Sequence, residues 1–96
     1  MIERLLELKE KLEENIWQHG VTTYKITEEN SKISSQIYKV NFMQIDIEKE
    51  VVMLINENDD ILLNFLISSV HRIKIMKDVT NIILKNGKHI KIEIVA

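Results

Sequence analysis

The chain has 96 residues, 45% of them apolar and 29% charged, with a formal net charge of -2; that is the composition of one ordinary globular domain, without the strongly basic balance of a general nucleic-acid binder. Cysteine is absent, which excludes disulfides, thiolate catalysis and cysteine-ligated zinc and agrees with a cytoplasmic protein. Apolar runs such as Val51 to Ile55 are far too short for a membrane span, and the charge at Glu3 argues against a signal peptide, so no membrane partner is expected.

Charge is unevenly spread. Residues 1–60 hold 7 Lys/Arg against 13 Asp/Glu, and residues 61–96 hold 6 against 2. An electrically two-sided molecule follows from this split. Isoleucine, lysine and asparagine are abundant whereas alanine occurs once, a bias associated with AT-rich coding DNA and hence with low-GC bacteria or their mobile elements.

Ile2 to His19 reads as an amphipathic helix, because Ile2, Leu5, Leu6, Leu8, Leu12 and Ile16 recur mainly at spacings of three and four. Gly20 stops it as a left-handed cap, and Trp17 is expected to pack at its C-terminal end. From Val21 the period becomes two, giving a half-polar strand suited to a sheet edge. Glu28 to Ser34 reads as a polar loop. Ile37 to Ile47 alternates less cleanly, a turn falls around Asp46 to Glu50, Val51 to Ile55 is a continuous apolar strand, and Asn56 to Asp60 is the next turn.

Ile61 to Met76 is the ambiguous segment, since Leu62, Phe65, Leu66, Ile73 and Met76 also fit a helical stripe. The β-branched run Val70 to Met76, with Arg72 and Lys74 alternating, favours strands interrupted at Ser68-Ser69. Asn86-Gly87 then marks a hairpin between Asn81–Leu84 and His89–Val95. A two-residue turn would pair Lys85 with Lys88. A turn with Gly87 as a left-handed bulge pairs Leu84 with Lys88 and collects Ile82, Leu84, Ile90, Ile92 and Ile94 on one face, so the bulged register is expected, with Ile83 as the misfit.

The expected architecture is therefore α+β: one domain, residues 1–96, with helix 2–19 packed on an antiparallel sheet of about six strands spanning 21–95. Several strands are apolar on both faces, which one helix cannot cover, so the sheet either rolls into a small barrel or meets a second subunit as a homodimer. The stretch Met43 to Ile55, MQIDIEKEVVMLI, resembles the strand-turn-strand of small SH3-like or Sm-like barrels, a likeness that implies topology and no functional residues.

Catalytic signals are weak. His19, His71 and His89 match no metal-ligand spacing. Asn56, Asn58 and Asp60 begin like a calcium loop, but Ile61 and Ile67 stand where glycine and a bidentate carboxylate are needed, so a turn bonding its own backbone is the better reading. Ser34-Ser35 and Ser68-Ser69 lack a nucleophile-elbow context. A small hydrolase or ligand-sequestering protein would need the turn carboxylates or histidines to converge in space. No enzyme, metal or cofactor is expected.

The leading candidate surface is the basic set Arg72, Lys74, Lys85, Lys88, His89 and Lys91, with Lys77 and His71 nearby. Clustered cations suit a protein partner with an acidic surface, bound through this face or a sheet edge by a small inhibitor or adaptor. An oligomeric small-barrel nucleic-acid binder is the alternative. It is weakened by the lack of an aromatic residue after Phe65 for base stacking. A plainly solvated lysine face that discourages edge-to-edge aggregation is the bland explanation of the same residues.

Overall fold

The computed structural model of the protein describes residues 1–30 and 32–95. Among the described residues one helix, α1 (Ile2–Trp17), precedes eight strands: β1 (Thr23–Glu29), β2 (Ile33–Lys39), β3 (Phe42–Asp46), β4 (Val51–Ile55), β5 (Ile61–Leu66), β6 (Val70–Ile75), β7 (Val79–Leu84) and β8 (His89–Ile94). All pairings are antiparallel. The strands form a larger sheet of five, in the order β2-β1-β8-β7-β6, and a smaller sheet of three, β3-β4-β5. The α+β expectation holds, with more strands than expected and two sheets in place of a rolled barrel.

Two corners carry the chain between the sheets. At the first, consecutive amides bond in different directions: Val40 N–H donates to Thr22 O (2.8 Å), while Asn41 N–H donates to Ile55 O in the smaller sheet (2.8 Å). At the second, a single 3-10 turn, Ile67–Ser69, does the same work. Ile67 N–H reaches back to Glu50 O (2.7 Å), and Ser69 O accepts from Lys85 N–H beside β7 (2.7 Å). Backbone groups at both corners thus stay paired where ladder pairing ends. Ser68-Ser69 does break the apolar run, and the chain on either side of it is strand.

The apolar stripe of α1 fills the space between the sheets. Leu5 and Leu8 are fully buried and Leu12 and Ile16 nearly so, whereas Ile2 and Leu6 stay exposed. The helix also covers two sheet edges. Arg4 donates to Ile73 O (3.2 Å) and Lys11 to Met76 O, at and just past β6, while Lys9 donates to Met43 O (2.8 Å) on β3. Their long apolar stems lie on the core while their charged ends meet carbonyls that no strand partners. Gln18 and His19 form a turn, and Gly20 (φ 66°) is the left-handed residue after it. Trp17 does not pack as expected. It is 68% exposed, because Ile16 takes the inward position and the next residue is turned about 100° away.

β1 is not an edge strand: β2 lies outside it, and the expected loop over 28–34 is mostly strand, with residue 31 outside the described residues. The final hairpin adopts the bulged register. Ile82 pairs with Ile90, Gly87 is left-handed (φ 89°), and Leu84 N–H donates to Lys88 O (2.9 Å). Ile83 accordingly points away from the core.

Tyr24 is the buried titratable group, 1% exposed, with its hydroxyl donating to Val21 O over 3.4 Å. Burial pushes its phenol above the usual range, and a side-chain hydrogen bond with Asn15 partly opposes the shift. The folded state therefore holds the proton more tightly than the unfolded chain, whose phenol titrates near about 10. Stability from the neutral phenol is intact below that pH and is lost as pH rises through it towards the folded value. Urea midpoints should fall above pH about 10, and Tyr24→Phe should flatten that fall; an identical pH profile for the variant would contradict this assignment.

Candidate binding face

Strand alternation sends Ile90, Ile92, Ile94, Ile82 and Leu84 inward, so their neighbours in sequence cover the outer face of the larger sheet. Register places those neighbours in rows. One row runs Ser35, Thr27, Lys91, Asn81, Lys74, and the next runs Ile33, Glu29, His89, Ile83, Arg72. A β-bulge after Val70 leaves His71 unpaired and aligns Arg72 with Ile83 and Lys74 with Asn81. Without that extra residue, the β6 side chains would face the opposite way.

The rows converge on a shallow depression of about 240 Å³ lined by Arg72, Lys74, Asn81, Ile83 and His89. His89 Nε2 lies 2.9 Å from Asn81 Oδ1. The amide oxygen can only accept, so the imidazole donates through Nε2 and fixes the Asn81 side chain. Lys74 and Lys91 flank Asn81 on adjacent strands, which puts their backbones about 10 Å apart across the sheet. Lys91 Nζ is 3.7 Å from Glu93 Oε1, with both side chains partly exposed, a weak pairing that leaves the ammonium available. Opposite this end, Glu29 and Glu93 lie on the β1–β8 side. The face is therefore most positive towards β6 and β7.

A guanidinium, two ammonium groups, an amide and an imidazole on a flat sheet can hold carboxylates or phosphates through charge-assisted hydrogen bonds. No aromatic side chain occurs in the two rows that carry the cations. Among the described residues, no group of three or more His, Asp or Glu is placed to hold a metal ion. The crevice between α1 and the larger sheet, beside Tyr24, has room for about 10 Å³, which is one water at most.

No family model, curated protein or solved structure matches the chain.

Of the basic residues picked out by sequence, Arg72, Lys74, His89 and Lys91 share the face. Lys85 and Lys88 do not. Lys85 is exposed in the hairpin turn, and Lys88 pairs with Leu84 in the hairpin, putting its ammonium 2.7 Å from Glu28 Oε1 over the inner side. The bulged register that collects the isoleucines inward is what turns Lys88 away. Lys77 sits in the β6–β7 turn beside the helix crevice. His19 is exposed and 3.8 Å from Glu14 Oε1. Asn81 and Ile83 were missed, because neither carries charge; their place between two cationic strands was readable from the hairpin register alone.

The Asn56–Asp60 turn bonds its own backbone. Asn56 Oδ1 accepts from Asn58 N–H (2.9 Å) and Asp60 N–H (3.0 Å), and its amide meets Asp60 Oδ2 (3.2 Å). Its oxygens are thus used in fixing the turn.

Proposed function

We propose that the protein is a small non-enzymatic interaction module of the cytoplasm that binds an acidic protein surface through the outer face of its larger sheet. The observation that carries this is the convergence of Arg72, Lys74 and His89 around Asn81 and Ile83 in one shallow depression, with Lys91 beside Asn81 on the neighbouring strand. A flat, polar-rimmed cationic patch with one apolar residue at its floor suits a protein partner better than a small molecule, which needs an enclosed pocket. Its role would be that of an inhibitor or adaptor, and the isoleucine-, lysine- and asparagine-rich composition suits a low-GC bacterium or its mobile elements.

Capture from a lysate of such a bacterium, with and without nuclease, tests this against nucleic-acid binding. The expected result is an acidic protein retained by the wild type after nuclease and lost when Arg72, Lys74 and Lys91 are all changed to Glu. Retention that vanishes with nuclease would transfer the face to nucleic acid, whose affinity falls steeply with salt.

A further inference from the structure

Strand β2 is an outer edge of the larger sheet, and α1 does not cover it as it covers two other edges. The edges at β3 and β6 receive hydrogen bonds from α1 side chains. On β2, Ile33 is 73% exposed and Ile37 62% exposed. The ladder also shows which backbone groups are free. Val40 N–H donates to Thr22 O and Asn30 N–H donates to Lys32 O, so both of these facing pairs are hydrogen-bonded ones. Bonded and non-bonded pairs alternate along an antiparallel ladder. Tyr38, Gln36 and Ser34 therefore bond to β1, and Ile33, Ser35, Ile37 and Lys39 turn their N–H and C=O groups outward.

We propose that this edge pairs with β2 of a second copy of the chain, antiparallel, with Ser35 opposite the partner's Ser35. That register follows from the strand itself. It keeps the free amides and carbonyls of each copy facing one another, and it sets Ile33 against the partner's Ile37 and Ile37 against the partner's Ile33. Four exposed isoleucines then shield one another on the outer face, while Ser34 meets the partner's Gln36 on the inner side. Lys39 is the only charged residue among the seven of β2, ISSQIYK. A charged partner strand finds little to read there, and a second copy brings almost no charge to repel. The proline, bulge or run of charges that usually blocks such an edge is missing from it.

The symmetry axis of this pairing is normal to the sheet, so both outer faces stay on the same side. Two Lys91 positions would then lie about 24 Å apart, across five strand spacings. The dimer stands without the acidic-partner reading; only the advantage of presenting two cationic faces together rests on it.

Edge pairing alone buries an area at the small end of specific interfaces, so micromolar self-association is expected. Sedimentation of the wild-type chain from about 5 to about 500 μM should show a monomer–dimer equilibrium, and Ile33→Lys with Ile37→Lys should weaken it at least about 30-fold. Both isoleucines are exposed, so the double variant should melt like the wild type. Ser35→Pro is an independent variant: it removes an N–H that points away from β1 and should also leave a monomer. A wild-type monomer throughout the range would overturn the proposal, as would a dimer that both variants leave unchanged. Neither result bears on whether the cationic face binds an acidic protein.

Discussion

Leu8→Ala should cost about 3 kcal/mol of stability and lower the melting temperature by about 15 °C. Leu8 is fully buried on α1, the element that fills the space between the two sheets. Truncation removes transfer energy and leaves a cavity that neither sheet can close without breaking its ladder. The loss is a large part of the roughly 5–15 kcal/mol that holds a domain folded. Leu6→Ala is the control. Leu6 is 45% exposed and two residues from Leu8 on the helix, so its truncation should cost about 0.5 kcal/mol or less. Calorimetry of the two variants decides the matter, and equal losses would mean that the helix does not dock by the stripe described.

That stripe was legible because Leu5, Leu8, Leu12 and Ile16 keep helical spacing, and the last hairpin because only one register gathers its isoleucines on one side. The edge strand β2 was not legible. Its sequence, ISSQIYK, is almost wholly exposed on both faces, so there is no burial to imprint an alternation; the strand exists because β1 offers it a ladder. The chain's changes of direction were blurred for another reason. Glu50 (φ 55°) and Asp59 (φ 63°) occupy left-handed positions that glycine usually marks, and the corners at Val40-Asn41 and Ile67–Ser69 carry neither glycine nor proline. Arg72 and Lys74 were picked out by charge, but the β-bulge that aligns them with β7 left no mark in composition.

Reversing charge on that face should produce the second large effect. Changing Arg72, Lys74 and Lys91 together to Glu is expected to slow association with the captured acidic protein about 10- to 100-fold at low salt, with a smaller change in dissociation. Arg72 and Lys74 are exposed, and the Lys91–Glu93 contact is a partly exposed pair at 3.7 Å, so folding should be nearly unaffected. Lys49→Glu, an exposed change in the turn between β3 and β4, should leave the rate alone. Surface plasmon resonance across a salt series separates the outcomes. A rate that ignores both the reversal and the salt would remove electrostatic steering from the account.

Amide shift mapping of the isotope-labelled protein locates the surface on which a partner lands. On titration with polyglutamate, and then with the captured protein, the perturbed signals should cluster at Arg72, Lys74, Asn81, Ile83, His89 and Lys91, while those of α1 stay still. Perturbations centred on α1 or on the outer side of the smaller sheet, with this set unmoved, would show that the partner binds elsewhere and not on the cationic face.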